Sequence, residues 1–124
     1  VTLAAPISTG DYAYSGTPFS GVASGVFAIS EANLLSLAAS NVSGAGLYFK
    51  VFNKATAPIA VAETSALMHH AYIASGSTAY TVTFPSPGKY GSLGLAFIWA
   101  TTPGPTTNTA PGDASTLSVS PEWK

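Results

Sequence analysis

Arginine and cysteine are both missing from these 124 residues, and charge of either sign is scarce. Without cysteine the chain has no disulfide, no thiolate metal ligand and no cysteine nucleophile. Its only strong cations are four lysines, scattered at positions 50, 54, 89 and 124. They form no basic patch to neutralise phosphates, which argues against nucleic acid as a partner. Charged residues make up 7% of the sequence, against roughly a quarter in an average soluble domain. The surface must therefore be built from Ser, Thr, Gly, Ala, Asn and Tyr. Such a surface suits a protein that packs against copies of itself or against a neighbour. Long hydrophobic runs are missing too. Apolar content is 47%, but small or polar residues interrupt it every few positions, so no stretch approaches the roughly 20 apolar residues that span a bilayer. The opening VTLAAPISTGDYAYS lacks the basic start and apolar centre of a signal peptide. A start at Val1 rather than Met implies processing or missing sequence.

What is present is a chain long enough for one domain with its own core. Residues 1–24 mix Gly, Ser, Thr and Pro with Tyr12, Tyr14 and Phe19 and hold no period, so they are expected to form an extended N-terminal arm. Residues 25–124 carry short alternating segments about ten residues apart, separated by Gly/Pro turns. That spacing predicts an all-β fold, an antiparallel β-sandwich of jelly-roll or immunoglobulin-like type with seven to eight strands. In residues 47–52, Leu47, Phe49 and Val51 share one face and Tyr48, Lys50 and Phe52 the other. Residues 79–84 direct Tyr80, Val82 and Phe84 inward. Residues 93–101 place Leu93, Leu95, Phe97 and Trp99 on one face and Gly94, Ala96, Ile98 and Ala100 on the other, the pattern of a central strand buried on both sides. In residues 67–73, Leu67, His69, Ala71 and Ile73 oppose Met68, His70 and Tyr72, and Leu117, Val119 and Trp123 alternate in a closing strand.

Residues 30–39 fit two periods. A helix capped by Ser30 would bury Leu34, Leu37 and Ala38. A strand would alternate Leu35, Leu37 and Ala39 and turn through residues 41–46 into the strand at Leu47 as a hairpin. The adjacent turn leads us to expect the strand.

From Leu47 onward the chain resembles a group of phage structural proteins. An aromatic-rich strand runs into Lys50-Val51-Phe52-Asn53-Lys54-Ala55-Thr56-Ala57-Pro58, similar to the KVYNKATAP phrase of that group. Phe84-Pro85, then Leu93-Gly94-Leu95-Ala96-Phe97-Ile98, then Thr106-Thr107, Gly112-Asp113 and residues 117–123 continue the likeness over about two-thirds of the chain. Residues 35–41 resemble the strand preceding that phrase, which also favours β there. The resemblance implies a bacteriophage virion structural protein, foremost a capsid decoration or cement protein on the capsid surface. Its partners would be the major capsid protein or other virion proteins, with copies arranged as a homo-oligomer or symmetric array. A tail, fibre or neck component, or a carbohydrate-binding adhesive sandwich, are the alternatives. The paired His69-His70, the Pro103-Gly104-Pro105 loop and the N-terminal arm depart from the group's pattern.

Residues with catalytic potential are sparse. His69 and His70 are adjacent, so on a strand they point to opposite faces, and no third ligand stands at metal-binding spacing; we expect one packed and one solvent or interface histidine. The carboxylates Asp11, Glu31, Glu63, Asp113 and Glu122 are scattered, and no serine sits in a Gly-x-Ser-x-Gly elbow. Asp113 after Gly112 reads as a turn. Asn41-Val42-Ser43 matches a glycosylation acceptor, but a role in the turn explains it better. The sequence thus predicts no catalytic residue, no metal, no cofactor and no enzyme. Tyr12, Tyr14 and Phe19 in the arm are candidate interface residues, because aromatics without periodicity seldom belong to a private core. Trp123, one residue from the chain end, is the fourth, and it either pins the last strand shut or anchors into a neighbour.

Overall fold

The computed structural model describes residues 19–124 and the backbone of Tyr14 and Ser15. Ten strands and no helix form there: β1 (Tyr14–Ser15), β2 (Phe19–Ser20), β3 (Ser24–Ala28), β4 (Ala32–Asn41), β5 (Leu47–Asn53), β6 (Ala66–Ile73), β7 (Ser77–Thr83), β8 (Lys89–Gly91), β9 (Leu95–Ala100) and β10 (Leu117–Trp123). All pairings are antiparallel. In the first sheet β10 and β4 are central. The short β1 and β2 share the free side of β10, and β7 and β8 share the free side of β4. The second sheet runs β3–β9–β5–β6. With each shared edge counted as one strand, the order is that of an eight-stranded jelly roll. The expected all-β antiparallel sandwich is what forms, and its topology is the jelly roll rather than the immunoglobulin type.

Two β-bulges explain where simple alternation misleads. Across β4 and β10, Ser36 faces Glu122 while Leu34 faces Trp123, so Leu35 is an extra residue. The bulge lets Leu34 and Leu37 both reach the core, and that three-residue spacing is what made the segment fit a helical stripe. Across β5 and β6, Val51 faces His69 and Phe52 faces Leu67, so Met68 bulges. Met68 therefore packs inward beside Ala71, and Leu67 moves to the outer face, away from the side shared by His69 and Ala71.

The core lies between the sheets. Phe97 stacks on Phe27 at 4.9 Å and on Phe49 at 5.8 Å, and Trp99 meets Phe49 edge-on at 4.9 Å. Phe49, Val51, Leu95 and Phe97 are fully buried, Phe84 is buried at the margin, and Val82 is half-buried on the edge strand.

Three expectations change. The arm does not end at residue 24, because β1 and β2 pair with β10 and belong to the sandwich. Residues 41–46 form no hairpin: β4 and β5 lie in different sheets, and the segment crosses between them as an arch. Buried Asn41 holds that arch, donating from Nδ2 to the carbonyls of Ala45 (3.0 Å) and Ile73 (2.9 Å), so its amide is committed and does not face solvent. Leu93 is exposed and precedes β9, because Gly94 (φ 156°) breaks the alternation before the strand begins.

Because Phe97 contacts three other aromatic rings, its truncation opens a cavity that the stacked neighbours do not fill. Phe97→Ala is expected to cost about 3–5 kcal/mol in urea-induced unfolding.

Candidate functional site

The outer face of the second sheet begins with an unfavourable residue. Lys50 alternates outward between Tyr48 and Phe52 in the middle of β5, yet it is 1% exposed. Residues 103–108 of the β9–β10 connection lie over it and enclose it. Its Nζ donates to the carbonyls of Gly104 (2.6 Å) and Thr107 (3.3 Å) and to Oδ1 of Asn108 (2.8 Å). Three donors thus meet three oxygens, the condition for burying an ammonium. Burial lowers the Lys50 pKa from its ordinary value. Phe52, Ala96 and Ile98 lie under the same cover and are removed from water.

Asn108 ties this cover to the β5–β6 connection. Its backbone N–H donates to Ala60 (2.6 Å), and its Nδ2 donates to the carbonyls of Ile59 and Pro105, both at 3.2 Å. Val61 bridges to Thr107, and the Glu63 N–H donates to Thr106 (3.0 Å). The Glu63 carboxylate, 2% exposed, closes the connection on itself. Its Oε1 accepts from Lys54 Nζ (2.9 Å) and the Ile59 N–H (2.7 Å), and its Oε2 accepts from the Ser65 N–H (3.0 Å). Burial pushes the carboxyl pKa up, but the Lys54 ammonium and the Ile59 and Ser65 amides overrule it, and the pKa falls to about 2. Ala62 sits between these fixtures at φ 59°, a left-handed conformation that disfavours a Cβ by about 1–2 kcal/mol.

These polar fixtures display apolar residues. The connection presents Ile59 and Val61 to solvent, Val61 at 70%. Beside it lie two more loops of the same end of the sandwich. Gly94 packs against the backbone of Ala28, Lys54 and Ala55. Asn53 accepts from the Leu93 N–H at 2.8 Å and donates to Ser92 Oγ at 3.0 Å. The β3–β4 loop carries Ile29 at 80% exposure, and the Tyr90 hydroxyl donates to Glu31 at 2.5 Å. Of the eight large hydrophobic residues exposed among the described residues, Ile29, Tyr90 and Leu93 lie at this end, and Ile59 and Val61 lie in the β5–β6 connection that leaves it and folds back over the outer face toward Thr107 and Asn108. An apolar surface held by buried charge is suited to burial against another surface. On the flank, Tyr48, Leu67, His70 and residues 103–105 line a cavity of about 200 Å³.

The aromatic residues singled out in the sequence lie elsewhere. Phe19 packs on Phe27 (5.5 Å) and Phe97 (5.1 Å). Trp123 pairs with Leu34 and Tyr14 and packs against the core. Both are part of this chain's own interior, because β2 and β10 carry them into the sandwich. Tyr14 is placed by its backbone alone, and Tyr12 lies outside the described residues. His69 is half-buried, its Nε2 2.8 Å from the Tyr80 hydroxyl and its ring 5.2 Å from Phe84; His70 is exposed. Among the described residues no three His, Asp or Glu side chains gather. Asp113 Oδ1 accepts from the Ser115 N–H at 2.9 Å, a turn contact.

Sequence reasoning did not find Lys50, Asn108, Glu63, Ile59 or Val61. A lysine alternating with apolar residues between Tyr48 and Phe52 was the one available signal. Comparison of the chain with family models, known proteins and solved structures gave no match.

Acid should act on two groups in separate windows. Burial, Lys89 and His70 lower the His69 pKa below 6.5, so its contribution is present above that pH and is lost as pH falls further. The Glu63 contribution is present above its ordinary 4.5 and is lost as pH falls toward 2, by about 3 kcal/mol in total. Denaturant titrations at stepped pH should show the lower loss in the parent and in His69→Gln, and its absence in Glu63→Gln.

Proposed function

We propose that this chain is a structural component of a bacteriophage particle, a capsid decoration or cement domain that docks through the apolar end of its jelly roll. The observation that carries the proposal is that five of the eight exposed large hydrophobics among the described residues, Ile29, Ile59, Val61, Tyr90 and Leu93, lie in or beside the three connections that leave one end of the strands, on a molecule with so little charge. The resemblance around residues 50–58 supports it, and that phrase leads into the loop that displays Ile59 and Val61. Jelly rolls serve capsid and lectin domains alike, so the fold agrees with the proposal without selecting it. In chemical terms the role needs no bond-making. It needs a rigid apolar patch with a polar rim, repeated by symmetry, so that modest contacts sum over many copies. The partner is the major capsid protein or another virion protein, and no cofactor takes part.

A glycan-binding reading has one observation in its favour. Tyr48 and Tyr72 face outward 5.1 Å apart beside the cavity at His70. Their rings are tilted by 59°, whereas a flat stacking platform for a sugar would have them near-coplanar, so the particle reading stands ahead.

Val61→Asp and Leu93→Asp are solvent-facing changes that leave the core intact. Each is expected to lower occupancy on purified particles by at least about tenfold, with thermal stability near that of the parent. Unchanged occupancy in both variants removes the apolar end as the anchor. Failure of the parent to bind particles, together with binding on a glycan array, replaces the proposal with the carbohydrate reading.

A further inference from the structure

The outer edge of the first sheet carries a short stretch of backbone that is complementary to itself. The Phe84 N–H donates to the Leu35 carbonyl at 2.9 Å, and the same register places Val82 opposite Leu37 and Tyr80 opposite Ala39. Hydrogen-bonded pairs recur at every second residue of an antiparallel ladder. Tyr80 and Val82 therefore turn their N–H and C=O groups toward β4, and Thr81 and Thr83 turn theirs away from the sheet. Both threonines are exposed. From this arrangement the geometry points to a second copy of this chain as the partner, its β7 pairing antiparallel with this β7 about a twofold axis at Val82. Thr81 of each copy then exchanges two backbone hydrogen bonds with Thr83 of the other, which satisfies all four outward residues.

The side chains agree with that register. Thr81 meets Thr83 on the outer face, and Tyr80 meets Phe84 on the inner face, both favourable cross-strand pairs. Residues 77–84 hold no charge, so no like charges meet along the seam, and the copies need no counter-charge to join. The stretch is also bounded. The offset between Ala39 and Asn41 leaves a bulge opposite Ser40 at residues 78–79, and Pro85 has no N–H to offer. These limits fix the register and leave nothing for a third strand to join, so association closes as a symmetric dimer. Four backbone bonds along one short strand fall short of the roughly 1,200 Å² of a stable interface. The pair is therefore weak in dilute solution and favoured where copies are crowded on a surface. This inference rests on strand geometry and does not depend on the particle reading.

Sedimentation velocity from about 10 µM to 1 mM should show monomer converting to dimer. Over the same range, hydrogen exchange at the Thr81 and Thr83 amides should slow, while Tyr80 and Val82 stay protected throughout. Thr81→Pro removes an outward N–H that β4 does not use, and it should leave a monomer at every concentration. Should the proline disturb the fold, the double variant Thr81→Lys/Thr83→Lys keeps the backbone, sets lysines directly opposite one another and should give the same result. A parent that stays monomeric at 1 mM, a dimer that persists in a folded variant, or concentration-independent exchange at Thr81 and Thr83 would each overturn the inference.

Discussion

Lys50 stands in the middle of β5 with its side chain out of water, and an ammonium in that position is stable only while oxygens surround it. The Gly104 and Thr107 carbonyls and Asn108 Oδ1 supply them. The long β9–β10 connection therefore cannot drift in solvent; it must lie across the sheet. Once it does, Phe52 and Ile98 acquire a roof, and Asn108 is placed to receive Ile59 and Ala60. Glu63 then completes the second loop with Lys54. Removing the amine alone would take from the Gly104 carbonyl and buried Asn108 Oδ1 the donor they share, so the arrangement holds together or loosens as a unit.

Much of the fold was legible because strand burial writes itself into alternation. The faces of residues 47–52 and the double-sided burial of residues 95–100 were readable from side-chain type alone. Where a bulge intervenes, alternation breaks and the same residues imitate another period, as Leu34 and Leu37 do around Leu35. The arch at residues 41–46 has the composition of a hairpin, since Asn, Ser and Gly suit either; which sheet receives the next strand is decided by long-range packing. The apolar end was the least legible part. Ile29, Ile59, Val61, Tyr90 and Leu93 come from loops far apart in sequence, and local pattern does not show that Gly94 draws those loops together. Phe19 was misread for the converse reason. A two-residue strand is too short to show a period, although its ring completes the aromatic core.

Scarcity of charge takes different forms in different parts of the molecule. Lys50, Lys54 and Glu63 are spent in fixing loops, the apolar end keeps Glu31 bound to the Tyr90 hydroxyl, and residues 77–84 of the β7 edge carry no charge of their own. A conventional surface uses such groups to keep molecules apart. Here the two surfaces proposed for contact differ in kind: one offers apolar side chains, the other backbone hydrogen bonds. They lie on different parts of the sandwich, so occupation of one leaves the other accessible.

The tether between the apolar end and the sheet also sets a load path. A pull on the β5–β6 connection reaches β5 by two routes, directly through Lys54 and Glu63 and across Asn108 into Lys50. β5 is hydrogen-bonded on both sides, to β9 and to β6, so tension arriving there is shared along two ladders instead of peeling an edge. The molecule's mechanical strength is thereby concentrated beneath the loops that would be gripped, and yielding would begin at its lightly paired margins, β1 and β2.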